Sequence, residues 1–133
     1  MRPSRRTFAL LLLLPALALS GCATVQVSSE RYIGVPQAVP TNPASVEILR
    51  KEPTRPHFQV GEVFLSPSPD TSVDSIEKAL RAESARLGAD AAVVVRDRTK
   101  RVGTYISGSW WVRYHAPVYS RQIVAVAIRY DGH

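Results

Sequence analysis

One cysteine in 133 residues, Cys22, means that no disulfide can form within a single copy of the chain. Three histidines, His57, His115 and His133, stand far apart, so the closely spaced His and Cys pairs of zinc sites are missing. So are a nucleophile elbow, a phosphate-cradling glycine loop and the acidic spacing of a calcium loop. These absences argue against an enzyme and against a metal or other cofactor. His57 follows Pro56 at the start of a strand pattern and His115 lies in an aromatic stretch. Each reads as a surface or rim residue, with a metal-binding or enzymatic module built on the two as the rival reading. Asp90, between a helix end and an apolar strand, needs no role beyond a turn or cap. A membrane-spanning run is also missing. Phe8 to Leu19 falls short of the ~20 apolar residues a spanning helix needs, and Pro15 breaks it.

That short run has another use. It follows Arg2, Arg5 and Arg6 and leads into Leu19-Ser20-Gly21-Cys22, the basic, apolar and small-residue order of an export signal. With cysteine placed directly after Leu-Ser-Gly, the stretch resembles the lipobox of bacterial lipoproteins. The resemblance implies cleavage between Gly21 and Cys22, a diacylglycerol thioether on the Cys22 thiol and an N-acyl chain on its amino group. The chemistry suits the residues: a thiol is the nucleophile that forms a thioether, and Ser20 and Gly21 are small enough to enter a peptidase within the bilayer. A signal cut without lipidation would leave Cys22 an odd free thiol in an oxidising compartment. Ser4-Arg5-Arg6-Thr7-Phe8 also resembles a twin-arginine export motif, but the leucine-rich run after it suits the general route better. Ala23, where the enterobacterial sorting pattern has Asp for inner-membrane retention, points to the outer membrane, facing the periplasm.

Removing the 21 residues before Cys22 from 133 leaves 112, enough for one small domain. The formal charge of +6 shrinks with them. Of 17 basic residues three leave, so 14 face 11 acidic ones, a net +3 that does not mark a nucleic-acid binder.

Residues 22–45 read as the lipidated Cys and a flexible tether, because Pro36, Pro40 and Pro43 remove backbone donors and no period is evident. Apolar Val25, Val27, Tyr32, Ile33 and Val35 leave docking of this arm on its own domain or on a partner as an alternative. Residues 46–133 form the domain. Val46–Arg50 reads as a short strand. Phe58–Leu65 reads as a second, with Phe58, Val60, Glu62 and Phe64 on one face and Gly61 marking a bulge or close backbone approach. Asp74 and Glu77 can cap a helix, with Ser72 as a competing cap. Ile76, Ala79, Leu80 and Leu87 form its apolar stripe, and Gly88 closes it. Ala91–Arg96 is an apolar strand that wants burial on both faces, and Gln122–Tyr130 is a last strand with two apolar faces. The expected fold is therefore α+β: a small mixed sheet of about four strands with one helix, in β-β-α-β-β order, strands 58–65 and 91–97 running parallel. One helix covers one face, so the other needs residues 99–120, the N-terminal arm or a second subunit.

Residues 99–120 hold Tyr105, Trp110, Trp111, Tyr114 and Tyr119, half of the chain's ten aromatics, interleaved with Lys100, Arg101 and Arg113. In a strand Trp110 and Trp111 point opposite ways. The segment is either a hairpin that extends the sheet and covers its core or a recognition surface, since Trp, Tyr and Arg dominate binding hot spots. Arg101, Tyr105, Trp110, Trp111, Arg113 and Tyr114 are the candidate partner-binding residues.

Ile76-Glu77-Lys78-Ala79-Leu80, Leu87-Gly88-Ala89-Asp90-Ala91 with the valine strand after it, and Ile123–Ala127 resemble a domain family of unknown function named for heavy-metal binding. They are also similar to the outer-membrane stress-sensor lipoproteins of the Rcs phosphorelay. The resemblance spans about residues 57–130 and implies a β-α-β-β sheet with one helix and, for the first family, a ring-like oligomer. The domain lacks the stress sensors' disulfide cysteines and the metal ligands of the other family's name, so neither mechanism is carried over. The function expected is that of a membrane-anchored envelope lipoprotein that binds, in sensing or organising the envelope. Its partners would be the membrane, an envelope protein or an anionic lipid. A structural, oligomer-forming domain is the alternative.

Overall fold

The computed structural model describes residues 24–132. The leader, Gly21 and Cys22 lie outside the described residues. In chain order the elements are β1 (Val25–Arg31), a 3-10 turn (Pro43–Ser45), β2 (Glu47–Leu49), β3 (His57–Pro67), α1 (Val73–Arg86), β4 (Ala91–Ser107) and β5 (Tyr114–Tyr130). The five strands form one sheet in the order β1-β3-β5-β4-β2. Only the β2–β4 pairing is parallel; the others are antiparallel. No helix among the described residues is long and apolar enough to cross a membrane.

Among the described residues the α+β class with a single helix is as expected, but the sheet has five strands and not four. The fifth comes from the stretch read as a tether. Val25 to Arg31 pairs along its whole length with β3, from Val25 opposite Pro67 to Arg31 opposite Gly61. The prolines that argued for a loose arm all come after β1, where the chain crosses the helix end and needs no ladder donors. That crossing is held as well: Thr41 donates its N–H to Ala85 O (2.9 Å) and its hydroxyl to Ala89 O (2.6 Å). Ser29 Oγ donates to Glu83 Oε1 (2.6 Å), tying β1 to α1. The domain therefore begins at or before residue 25.

The expected crossover also differs in one respect. β3 and β4 do run parallel, yet β5 lies between them and is antiparallel to both. Insertion of the last strand buries its two apolar faces more completely than an edge position would.

Helix α1 starts at Ser72, whose hydroxyl accepts the Ser75 N–H (3.3 Å), so the competing cap prevails over Asp74. Ser72 stands one residue before the first helical position, while Asp74 lies inside the first turn, where its charge favours the helix N-terminus. At the other end Gly88 N–H donates to Ala85 O (2.9 Å) and Ala89 N–H to Ser84 O (3.1 Å). Gly88 has φ +82°, the left-handed residue that this double closure requires.

Under α1 lies the larger core cluster, with Val60, Val63, Leu65, Ile76, Leu80, Ile123, Ala125 and Ala127 buried. The predicted grouping of Val60 with Phe58, Glu62 and Phe64 is overturned by a bulge. The register steps from Gln59 opposite Ile128 to Gly61 opposite Ala127, which leaves Val60 as the extra residue and turns it toward the helix. On the opposite sheet face Ala91, Val93, Val126, Ile128 and Tyr130 form a smaller cluster. Its cover is Tyr32, which follows β1, together with Leu49, and the Arg55 guanidinium lies 4.3 Å over the Tyr130 ring. Within one copy this face is thus covered partly by the arm, through Tyr32, and partly by Leu49 of β2 and Arg55 of the loop after it; residues 99–120 take no part. Burial in β4 stops early: Val94 is half-buried and Val95, the extra residue of a second bulge, is 59% exposed.

Candidate functional site

Beyond Asp97 and Ile123 the β4–β5 pair leaves the sheet. β3 ends at Pro67, opposite Thr24 and Val25, and β2 pairs only with Ala91–Val93. The rest of β4 and β5 continues as a two-stranded ribbon, from Arg98 opposite Gln122 to Ser107 opposite Tyr114. At 3.3 Å per residue, its roughly nine rungs project about 30 Å. Nearly every ribbon residue is exposed, and among the described residues no strand lies beside either ribbon edge.

The ribbon's base is fixed by an ion pair. Arg121 Nε donates to Asp97 Oδ1 (2.8 Å) and Nη2 to Oδ2 (2.7 Å), a two-pronged fork that runs diagonally between rungs two apart. The Arg121 hydrogen bonds hold the Asp97 carboxyl below its ordinary value, although partial burial pulls the other way. A depressed carboxylate stabilises the fold above its unfolded pKa and loses that contribution as pH falls through the folded value. Asp97→Asn is therefore expected to weaken the domain by under about 1 kcal/mol at pH 7, as befits a half-exposed pair. In denaturant melts the gap to the parent chain should close well below pH 3.8, the ordinary aspartate value.

Midway, a bulge between Arg101 and Gly103 makes Val102 the extra residue. Arg101 wraps it, donating from Nη2 to Thr104 Oγ1 (2.8 Å) and from Nε to Gly103 O (3.4 Å). The tip is a turn in which Val112 N–H donates to Ser109 O (3.1 Å). Gly108 has φ +107°, and a Cβ there would fall 2.1 Å from Val112 O, so only glycine fits.

Trp110 and Trp111 occupy this turn and not a strand, which corrects the expectation that they point opposite ways. Turn geometry sets their rings edge to face, centroids 5.1 Å apart at 86°. They are 81% and 68% exposed. Of the six candidate residues, Trp110, Trp111, Arg113 and Tyr114 come together at the tip. Tyr105, opposite Ala116, shares a ribbon face with Tyr114 two rungs away. Arg101, opposite Tyr119, lies midway on the other face, the side of the sheet that carries α1. Exposed Val102, Ile106 and Val118 belong to the same surface and were not singled out from sequence. Their signal was the run Arg96–Arg101, all six of whose residues are polar or charged, on both faces, which a buried strand does not tolerate.

The histidine rival meets a separation. His57 pairs with Tyr130 and His115 with Ile106, so 15 residues of β5, roughly 50 Å, divide them. His57 is engaged locally, with Nδ1 2.7 Å from Arg55 O and Nε2 3.2 Å from Glu52 Oε1.

The chain matches no protein-family model, no curated protein and no solved structure.

Proposed function

We propose that this protein is a lipid-anchored lipoprotein of the bacterial envelope that acts by binding, with the lipid on Cys22 and the β4–β5 ribbon as its recognition element. The observation that carries the binding half is the ribbon tip: both tryptophans of the chain stand in solvent on a turn that a glycine makes possible. Large apolar rings left uncovered in a monomer mark a surface that meets something else. The anchor half is carried by the Leu19-Ser20-Gly21-Cys22 motif behind its short apolar run. The outer membrane, facing the periplasm, is the address that Ala23 favours.

The test expresses the parent chain and Cys22→Ser in a bacterium and fractionates the envelope. The parent should pellet with membranes and show by mass spectrometry a chain that starts at Cys22 and carries diacylglycerol and a third acyl group. Cys22→Ser should lose the lipid mass and more than nine-tenths of the mature membrane-bound form. A parent chain found unlipidated in the cytosol overturns the anchor.

A further inference from the structure

We infer that the ribbon tip is a second membrane contact, which seats Trp110 and Trp111 in the headgroup region of the same anionic bilayer that holds the anchor. This rests on the anchor reading and adds a partner to the ribbon: the lipid surface itself.

The first support is charge. From Arg98 to Gln122 there is no Asp or Glu, while Arg98, Lys100, Arg101, Arg113 and Arg121 are all cationic. Of these cations, all among the described residues, only Arg121 has an ion-pair partner, Asp97 at the base. A projecting element with free cations and no anion is attracted to anionic headgroups, each charge strengthening binding about fivefold.

The second is the tip's chemistry. Tryptophan and tyrosine are the side chains that settle at the bilayer interface, where a ring needs both an apolar bed and a polar neighbour. Here Trp110, Trp111 and Tyr114 lie next to Arg113 and above Tyr105.

The third is direction. Thr24 sits at the end of the sheet from which the ribbon leaves, its carbonyl accepting from Ser68 N–H (3.3 Å) and Oγ (2.8 Å). Cys22 is two residues earlier, so at most about 7 Å of chain separates the thiol-bearing residue from the sheet. Anchor and ribbon therefore leave the domain at one pole. The ribbon cannot pierce the hydrocarbon, because its two open edges carry unpaired N–H and C=O groups. It must lean along the surface, with only the tip seated between headgroups.

The chain supplies its own probe, since Trp110 and Trp111 are its only tryptophans. The lipidated chain is reconstituted into vesicles of phosphatidylcholine alone, or of phosphatidylcholine with one quarter phosphatidylglycerol. Indole emission and quenching by aqueous acrylamide are then read in each. With phosphatidylglycerol the emission should move to the blue and quenching should fall at least twofold. With phosphatidylcholine alone both should stay those of exposed indole. Lys100→Gln/Arg101→Gln/Arg113→Gln should weaken seating about a hundredfold and return the anionic vesicles to the neutral result.

A chain that floats with both vesicles while its emission stays unmoved overturns the ribbon contact and leaves the anchor standing. A chain that floats with neither overturns the anchor. A blue shift that is equal in both lipids, or that grows with protein density in detergent alone, also overturns the proposal, the latter in favour of a second copy as the occupant.

Discussion

Gly61→Val releases β1 from the sheet and leaves the helix and ribbon in place. At Gly61 an added Cβ would fall 2.2 Å from Glu30 O and 3.0 Å from Arg31 Cα, both backbone atoms of the neighbouring strand. Neither can swing aside as a side-chain tip would. The only relief is for β1 to move away, which breaks its register at Arg31 opposite Gly61 and draws Tyr32 off Glu62, to which it donates a 2.9 Å hydrogen bond. Overpacking of this kind costs about 3 kcal/mol. Hydrogen exchange should show amides of residues 25–41 losing protection while those of α1 and of β3 against β5 keep theirs. If residues 25–41 stay protected in the variant, the docking of β1 is wrong. The same variant restores the slack arm once expected for residues 22–45, so in anionic vesicles the ribbon tip should also be less firmly seated.

Leu65→Ala is expected to lower the unfolding free energy by about 3 kcal/mol, with a fall in Tm of roughly 10–20 °C. Leu65 is 1% exposed in the cluster beneath α1, among Val63, Ile76, Leu80 and Ile123, so truncation leaves a void lined by both sheet and helix. A domain of this size has roughly 5–15 kcal/mol in total, and no disulfide supplements it. Trp111→Ala provides the contrast: on an exposed turn it should move stability by less than about 0.5 kcal/mol. Equal losses from the two would mean that the ribbon packs on the core, contrary to the fold described above.

Those two residues also show what could and could not be read in advance. Leu65, the stripe of α1 and the Gly88 closure follow from local rules: alternation, helical period and the left-handed glycine. Gly61 was legible as a bulge or a close approach and turned out to be both. What failed was non-local. β1 alternates only faintly, with Val25, Ser29 and Arg31 half-buried, Gln26, Ser28 and Glu30 exposed and no residue fully buried, because it is an edge strand held mostly by backbone pairing, which leaves little trace in residue type. The insertion of β5 between β3 and β4 is a choice among pairings of equally apolar strands, and periodicity is blind to it. Trp110 and Trp111 look alike in a strand and in a turn until Gly108 is weighed with the short span to Tyr114. The ribbon's aromatic and basic make-up was visible from composition; that it stands clear of the core was not.

Pro117 lies within β5 on the projecting pair, opposite Thr104. A proline is tolerated in a strand when its missing donor faces away from the neighbouring strand, and here that side is a free edge. Any third strand zipping onto that edge would meet a gap in its ladder, flanked by the Tyr119 ring and the His115 imidazole. Molecules crowded together on one leaflet would thus find it hard to stitch into fibres. A finger can stay uncovered at high surface density because one residue along its side refuses to be extended.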